Sequence, residues 1–339
     1  MLRRRLQRFL ALAIGGVGLV AATRPSHPGH PVSDRRTGFL LVANQQSANA
    51  SLIDLRTDSA RLIPVGEGPH EAVIAPSGKV GVVTIYGTQQ PGNALAVIDI
   101  RSGAVTRTIS LGEFTRPHGA VFLPGDESRV VVTSEASQRL VLVSLTEGKV
   151  EAAIPTEAAG SHMVAITADG RRAFTANVGS GSVSEIDLEQ KRFVRSIPIA
   201  PGVEGIAVTP DGAVVWAGSN TNGTVTLIDT RTGTATDTLT GFQLPYRMAI
   251  SADGRTAIIC DPQGNKVHVA DVGQRKVLLS LDGLGSPRGV NITPDGKTAF
   301  VTLNGDRTVG IVDLESRKIT RRIGVGASPD GVWYGPVPQ

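Results

Sequence analysis

Three stretches of this sequence align with one another without a gap, namely TPDGAVVWAGSNTNGTVTLIDTRTG (209–233), SADGRTAIICDPQGNKVHVADVGQR (251–275) and TPDGKTAFVTLNGDRTVGIVDLESR (293–317). Weaker copies of the same pattern stand earlier in the chain, at 75–83, 123–132 and 167–176. A period near 40 residues, built from short apolar runs, is typical of a propeller or a related repeat array.

Each repeat unit reads as four short strands. In the copy at 205–240 these strands are GIAVTP, AVVWAGS, TVTLID and TATDTLT, rich in Val, Ile and Thr. Pro210-Asp211-Gly212 has the composition of a tight turn, and Asp229 begins a second turn in which its carboxylate can accept bonds from nearby backbone N–H groups. The recurring Asp residues are therefore predicted to be structural and not catalytic acids.

The two ends of the repeat array complement each other. The array begins with the second type of strand (GFLLVAN, 38–44) and ends with the first type (GVWYG, 331–335), which gives seven strands of each type. The sequence predicts an all-β fold, a seven-bladed β-propeller over residues 37–339 with four-stranded blades and a last blade closed by both termini. Such closure removes the free sheet edges of an open array.

The N-terminus predicts an exported protein. Residues 1–22 place four arginines before an apolar run that ends in small residues, which is the layout of a secretory signal peptide, although an uncleaved anchor is the alternative. Residues 23–36 read as a polar, Pro-rich linker. We therefore expect a periplasmic, extracellular or cell-surface location.

Composition excludes several functional classes. Without the four signal-peptide arginines the chain has 30 basic and 30 acidic residues, so no nucleic-acid partner is expected. No apolar stretch reaches the roughly 20 residues of a transmembrane helix, so the mature chain is predicted to lack a membrane span. The single Cys excludes a disulfide within the chain and a zinc site made of several cysteines.

The repeats resemble a known family. PDG followed by an AFVT-like strand, as at 294–302, and a V-x-x-ID run, as at 225–229, is similar to the YVTN-type β-propeller repeats of bacterial and archaeal surface or periplasmic proteins, and also to lactonase-like propellers. The resemblance covers all seven units. It implies the propeller fold, but its members range from adhesins and binding proteins to lactonases and lyases, so it leaves the function open.

One position of the repeat carries ionisable side chains. It lies at the start of the innermost strand of each blade, usually just after Pro, and is expected to form a ring at one mouth of the central channel. Three of the six histidines occupy it. In chain order the ring consists of His70, His118, His162, Glu204, Tyr246, Arg288 and Asp330.

The residue types in this ring suit a metal or an anion. Imidazole and carboxylate groups are ligands of divalent transition metals, which makes His70, His118, His162 and Glu204 a candidate set for one such ion. Arginine suits an anionic group on a ligand. The further candidates for ligand contact are Tyr246, Arg247, Arg288 and Asp330, with Tyr86 and Glu135 on the rim after the second strand. The alternative is a solvated channel mouth in which polar residues are expected whatever the function.

Three functions remain open on the sequence. The first is an exported scaffold that holds a small ligand or a partner protein at the channel mouth. The second is a metal-dependent, lactonase-like hydrolase or lyase that uses the His and Glu residues of the ring. The third is a structural protein of the cell surface.

Overall fold

The computed structural model describes residues 37–338. The predicted signal peptide and linker, residues 1–36, lie outside these described residues. Within them the chain forms 28 strands and two short 3₁₀ helices, the helices at Gln45–Ser47 and Asn304–Asp306. No helix in this part of the chain has the length and apolarity needed to cross a membrane.

The strands are short, as the repeats predict. In chain order they are β1 (Phe39–Asn44), β2 (Asn49–Asp54), β3 (Ser59–Pro64), β4 (Pro69–Ile74), β5 (Val80–Gly87), β6 (Pro91–Asp99), β7 (Ala104–Ser110), β8 (Pro117–Leu123), β9 (Asp126–Ser134), β10 (Arg139–Ser144), β11 (Lys149–Pro155), β12 (Ser161–Ile166), β13 (Arg172–Asn177), β14 (Ser182–Asp187), β15 (Arg192–Pro198), β16 (Val203–Val208), β17 (Val214–Ser219), β18 (Thr224–Asp229), β19 (Thr234–Thr240), β20 (Met248–Ile250), β21 (Thr256–Asp261), β22 (Lys266–Asp271), β23 (Lys276–Leu281), β24 (Pro287–Ile292), β25 (Thr298–Leu303), β26 (Thr308–Asp313), β27 (Lys318–Gly324) and β28 (Pro329–Gly335).

These strands build seven four-stranded antiparallel sheets, the blades of a propeller. Blades 1 to 6 each use four consecutive strands, beginning with β4, β8, β12, β16, β20 and β24. Blade 7 has the order β28-β1-β2-β3, so its innermost strand comes from the C-terminus and the other three from the N-terminal end of the propeller. This confirms the predicted fold class and the closure of the last blade by both ends of the repeat array.

The hydrophobic core lies between the blades. The described residues form seven buried clusters, one for each pair of neighbouring blades. Between blades 4 and 5, for example, Trp216 and Leu227 pack with Ala257 and Ile259. Both faces of the two middle strands are therefore buried, which explains their nearly continuous apolar runs.

The recurring aspartates are structural, as predicted. The carboxylate of Asp229 accepts hydrogen bonds from the backbone N–H groups of Arg231 and Thr232, at 2.8 and 2.9 Å. Asp211 accepts from the Thr209 hydroxyl and from the N–H of Ala213. Gly212 has a φ of 69°, which a residue with a side chain rarely adopts.

Arginines on the outermost strands join neighbouring blades. Arg107 on β7 donates to the carbonyl oxygens of Leu145 and Thr146 in the next blade. Arg195 on β15 likewise donates to the carbonyl of Thr230, at 2.7 Å. These contacts link the periphery of the ring of blades, where the apolar core is thinnest.

Candidate functional site

The ring position lies where the sequence analysis placed it. Its residues stand second in the innermost strands of six blades, and in blade 5 Tyr246 precedes β20 by two residues. In several blades a Gly follows, and this Gly lets adjacent innermost strands approach closely. A Cβ on Gly119 would lie only 3.0 Å from the carbonyl oxygen of His162, and one on Gly205 would collide with that of Tyr246. The channel is therefore narrow, and ring residues from several blades can meet.

Three histidines contact one another at the mouth, with the ring of His118 tilted by 46° to that of His70 and by 36° to that of His162. The ring centroids of His70 and His118 are 3.8 Å apart, and those of His118 and His162 are 3.6 Å apart. His70 and His162 come from non-adjacent blades, yet their centroids are separated by only 6.3 Å. We call His70, His118 and His162 the histidine cluster.

His118 is the buried centre of this cluster. Its side chain is fully buried, and neither of its ring nitrogens has a hydrogen-bond partner among the described residues. Burial, followed by the charges of the neighbouring His162 and His70, holds the pKa of His118 well below its usual range. His118 is therefore neutral at physiological pH, and one of its nitrogens keeps a free lone pair.

His162 has a different environment, because carboxylates occupy both of its nitrogens. Its Nδ1 lies 2.8 Å from Oε2 of Glu135, and its Nε2 lies 3.1 Å from Oε1 of Glu204. Burial opposes the charge on His162, but the hydrogen bonds to these two carboxylates outweigh it and raise the pKa of His162. His162 is thus held as a proton-bearing bridge between Glu135 and Glu204.

A buried ion triad, Arg247 with Glu71 and Glu204, spans the channel next to the cluster. Arg247 crosses from blade 5 to Glu71 on blade 1, with its Nη2 2.9 Å from Oε1, and its Nη1 lies 3.2 Å from Oε1 of Glu204. Burial alone would raise the pKa of Glu204, but its hydrogen bond with His162 and the charge of Arg247 lower it to about 2. Asn220 also donates to Glu204. All three ion-triad residues are therefore charged at neutral pH.

The other side of the mouth carries Arg288, Asp330, Tyr246 and Gln45. Asp330 is fully buried and its Oδ1 has no partner among the described residues, whereas its Oδ2 accepts from Nε2 of Gln45 at 2.9 Å. Arg288 makes only long contacts, 3.5 Å to Oδ2 of Asp330 and 3.4 Å to Oε1 of Gln45. Two guanidinium groups lie near the Tyr246 ring, with their central carbons 4.3 Å (Arg247) and 5.8 Å (Arg288) from its centroid.

The two rim residues contact each other. The hydroxyl of Tyr86 donates to Oε1 of Glu135 at 3.2 Å, and Arg116 stacks on the Tyr86 ring at 4.7 Å. Burial, together with the negative charge of Glu135, raises the pKa of Tyr86 to about 12, so its phenol stays protonated. The Tyr86 hydroxyl therefore holds Oε1 of Glu135, while Oε2 of the same carboxylate bonds to His162.

Two groups of side chains could hold a metal ion. In each of them one ligand atom from every residue lies within 4.8 Å of the others. The first group is His70, Glu71 and His118, and the second is His118, Glu135 and His162. Of the four metal ligands predicted from the sequence, the structure brings the three histidines together, while Glu204 bonds to His162, Arg247 and Asn220.

Three residues of the mouth were not predicted from the sequence, namely Glu71, Gln45 and Asn220. Gln45 and Asn220 directly follow the second strands of their blades, β1 and β17, which is the position that identified Tyr86 and Glu135. The same repeat position would have identified Gln45 and Asn220 as candidates. Glu71 follows a ring residue, as Arg247 does, but its partner lies 176 residues away and across the channel, which no local pattern reveals.

The opposite end of the channel is apolar. Beyond the ion triad lies a cavity of about 260 Å³. Its walls include Val121, Met163, Ile206, Val290 and Trp333, and Glu71 and Arg247 contribute to its lining from the side of the histidine cluster. The titratable groups are therefore concentrated at one mouth.

Comparison with known proteins supports the fold. Residues 238–336 match a family model described as the YNCE-like beta-propeller. The match and the seven-bladed architecture are consistent with a YVTN-type propeller. The matched segment contains Tyr246, Arg247, Arg288 and Asp330, whereas the histidine cluster lies outside it.

A solved structure supports the same conclusion. A chain titled Kuenenia stuttgartiensis Hydrazine Synthase superimposes with a TM-score of 0.69 over 80% of this chain and 90% of that one. The two sequences are 19% identical, so this similarity concerns the fold alone. No curated protein matches the sequence.

Proposed function

We propose that this protein is an exported β-propeller binding scaffold whose channel mouth holds one divalent transition-metal ion. The observation that carries the proposal is the fully buried imidazole of His118, whose two nitrogens have no partner among the described residues. A buried polar group without a partner costs about 1–3 kcal/mol. A metal ion that accepts a lone pair of His118 would turn this cost into a stabilising bond.

The distances between neighbouring candidate ligand atoms are also compatible with a single bound metal ion. Two atoms that each bind a metal at about 2.1 Å are at most about 4.2 Å apart. Nδ1 of His70 lies 3.9 Å from Oε1 of Glu71 and 3.8 Å from Oδ2 of Asp330, too far for hydrogen bonds but within that limit. Nδ1 of His70 and Oδ1 of Asp330 are themselves buried without a partner among the described residues. The proposed ligands are therefore His70, Glu71 and His118, the first of the two groups described above, whereas Asp330 belongs to neither group.

The donor set restricts the metal. Imidazole nitrogen and carboxylate oxygen without thiolate suit zinc, nickel, copper, iron or manganese. The chain's one Cys, Cys260, is buried on β21, and burial raises the pKa of its thiol far above its usual range. It is a neutral core residue and not a competing soft ligand.

The environments of two candidate acid–base groups, His162 and Glu204, favour binding over lactone hydrolysis. A general base needs a free lone pair within reach of the reacting proton. Both nitrogens of His162 bond to carboxylates, and Glu204 bonds to His162, Arg247 and Asn220. These groups are arranged to hold their charges in place, which suits a binding site.

Metal analysis tests the proposal. The full chain would be produced without a His tag, and bound metals would be counted by elemental mass spectrometry before and after incubation with Zn²⁺, Ni²⁺, Cu²⁺ and Mn²⁺. We expect close to one ion per chain in the wild type and a loss of affinity of at least about tenfold in His118→Asn and His70→Asn.

His268→Asn is the matched control for these variants. His268 is also buried, but its Nδ1 lies 2.8 Å from the Ser280 hydroxyl in blade 5, away from the mouth. This variant should retain the metal of the wild type. A wild type that binds none of the four ions, or a His118→Asn variant that binds them as well as the wild type, would contradict the proposal.

Export is a separate part of the proposal. We expect cleavage near residue 23 and recovery of the mature protein outside the cytoplasm, because residues 1–22 have the layout of a secretory signal. N-terminal sequencing of protein from a fractionated bacterial host measures this. Recovery of the intact N-terminus in the cytoplasm would argue against export.

A further inference from the structure

A second cavity lies at the end of the channel away from the histidine cluster. It is lined by the C-terminal parts of the innermost strands of blades 6, 7, 1 and 2 and by residues that follow them, whereas the ring residues lie at the other end of these strands. Its volume is about 460 Å³, and it shares Val121, Asn291 and Trp333 with the 260 Å³ cavity of the channel. We call this larger cavity the outer cavity. Because an apolar cavity of about 150 Å³ holds one benzene molecule, the outer cavity has room for about two or three fused rings.

The lining of the outer cavity is apolar and carries no charge. No Asp, Glu, His, Lys or Arg contributes to it among the described residues. Three aromatic residues do, namely Phe122, Trp333 and Tyr334, in a chain that is only 4% aromatic. Burial of an unpaired charge is costly, and aromatic rings attract one another beyond the effect of the area that they bury. The lining therefore suits an uncharged, aromatic ligand.

Two residues of the outer cavity depart from the repeat. The position three residues after each ring residue carries Val or Ala in blades 1 to 5, namely Val73, Val121, Ala165, Ala207 and Ala249. In blades 6 and 7 the same position carries Asn291 and Trp333, and both of them line the outer cavity. Because five blades are built with Val or Ala at this position, the packing of the blades does not by itself require an amide and an indole on neighbouring blades.

The Asn291 amide has a fixed orientation and keeps its donors free. Its Oδ1 accepts a hydrogen bond from the backbone N–H of Tyr334 at 3.0 Å. Its Nδ2 donates to no group among the described residues, so this nitrogen is left for a ligand. Trp333 is half-buried, so part of its ring surface is also open to contact.

We propose that the outer cavity binds an uncharged aromatic molecule that packs against the Trp333 ring and presents a hydrogen-bond acceptor to Nδ2 of Asn291. A small number of polar groups in a mostly apolar pocket is the usual arrangement for orienting a small ligand. This inference does not depend on the metal site proposed above, because the outer cavity contains none of the proposed metal ligands.

Three related probes test the chemistry of the cavity. Naphthalene has no hydrogen-bond acceptor, 2-acetylnaphthalene has a carbonyl oxygen, and 2-naphthoate has a negative charge. Their binding to the untagged full chain would be measured by equilibrium dialysis, with the free probe followed by its ultraviolet absorption. We expect saturable binding of one 2-acetylnaphthalene per chain, weaker binding of naphthalene, and binding of 2-naphthoate that is at least about tenfold weaker than that of the ketone.

Asn291→Ala tests the polar contact, and Ala is the residue that blades 3, 4 and 5 carry at this position. The affinity for 2-acetylnaphthalene should fall by about two- to tenfold, because one hydrogen bond is removed, whereas the affinity for naphthalene should not change. The contrast between the two probes distinguishes a lost contact with the ligand from a general disturbance of the cavity.

Trp333→Val tests the aromatic contact, and Val is the residue of blades 1 and 2. Both naphthalene and 2-acetylnaphthalene should bind at least about tenfold more weakly, because the ring contact and its apolar area are lost. Phe193→Val is the matched control, since Phe193 is also a half-buried aromatic residue but lies on β15, the outermost strand of blade 3. It should bind all probes as the wild type does. If Trp333→Val does not melt cooperatively, the contrast between the probes in Asn291→Ala still decides.

Several results would overturn the inference. A wild type that binds neither naphthalene nor its ketone has no such site, and equally tight binding of 2-naphthoate would show that the ligand need not be uncharged. A folded Trp333→Val variant with unchanged affinities, or an Asn291→Ala variant that weakens both probes equally, would refute the assigned contacts. Displacement of 2-acetylnaphthalene by lower concentrations of the aliphatic ketone 2-decanone would assign the cavity to aliphatic chains instead.

Discussion

At the scale of single residues, His118 combines two properties that ordinary core packing does not favour. It is fully buried, and its nitrogens make no hydrogen bonds within the described residues. A core position that served only packing would be better filled by an apolar side chain of similar volume. The unpartnered nitrogens of His118 therefore support the proposal that this residue binds a metal ion.

Replacement of His118 by Leu should distinguish a role of His118 in core packing from a role in metal binding. Without metal, we expect the free energy of unfolding to rise by up to about 1–3 kcal/mol, because a buried polar group without a partner is removed. In the wild type, a metal at 100 times its dissociation constant should add about 2.7 kcal/mol, and His118→Leu should abolish this increase. Urea unfolding with and without Zn²⁺ measures both. A large loss of stability in the metal-free variant would instead assign His118 to the packing.

Glu204 should give the fold a pH dependence. Because its pKa of about 2 in the folded protein lies below the usual value of 4.5, ionised Glu204 stabilises the fold above about pH 4.5. That contribution, of order 3 kcal/mol, is lost as the pH falls from about 4.5 towards 2. Urea unfolding between pH 7 and pH 2 should show a flatter profile in Glu204→Gln than in the wild type.

The control for this series is Glu189→Gln, which changes an exposed carboxylate in the turn after β14. It should reproduce the acid profile of the wild type. Identical profiles for Glu204→Gln and the wild type would show that the buried ion triad does not depend on the charge of Glu204.

Most residues of the candidate site can be predicted from the repeat, but the contacts between their side chains cannot. The repeat period places His70, His118 and His162 at equivalent positions, and the close approach of the innermost strands brings them together. Which nitrogens remain free depends on Glu135 and Glu204, which occupy both nitrogens of His162. The ion triad likewise depends on Glu71 and Arg247, which meet across the channel from blades 1 and 5. Such a contact depends on the channel's width and on side-chain length, neither of which a linear pattern contains.

At the scale of strands and turns, the outer edges of the blades depend on polar contacts. The outermost strands are largely exposed, as β19 shows, so they contribute little apolar burial. The strand pattern of the sequence predicts these elements well, because alternation and turn residues are local signals. The arginine contacts between blades are not predicted, because each reaches a carbonyl oxygen, which every residue carries.

Arg195→Ala should weaken the contact between blades 3 and 4. Nε of Arg195 lies 2.6 Å from the largely buried carboxylate of Glu185, and its Nη2 donates to the Thr230 carbonyl. Its loss leaves Glu185 with only the more distant Arg172, 3.5 Å away. We expect a destabilisation of about 1–2 kcal/mol, measured by urea unfolding.

Arg192→Ala on the same strand is the matched control. Its Nε bonds to the exposed side chain of Gln190, so its loss should cost less than about 0.5 kcal/mol. Equal effects of the two substitutions would mean that the contact between blades contributes nothing measurable.

At the scale of the whole molecule, the fold depends on β28. This strand is the innermost of blade 7, where it pairs with β1, and it also packs against the innermost strands of blades 1 and 6. The two ends of the repeat array predicted this closure, because the number of strands of each type must match.

Deletion of residues 329–339 should therefore abolish cooperative unfolding. The deletion exposes the edge of β1 and removes Asp330 from the mouth, so we expect a broad melting transition and self-association. Circular dichroism melts and size-exclusion chromatography measure both. A chain that ends at Pro336 keeps β28 and is the control. A sharp melt and a monomeric elution profile for the longer deletion would show that the other six blades are stable without closure.

The buried ion triad has a consequence for the path by which a ligand could enter and leave the channel. Because Arg247 and Glu71 meet across the channel, a ligand at the histidine cluster would be separated from the apolar cavity beyond the ion triad. Such a ligand would therefore enter and leave on the side of the histidine cluster. A partner protein seated over that side would slow the release of the ligand without contacting it.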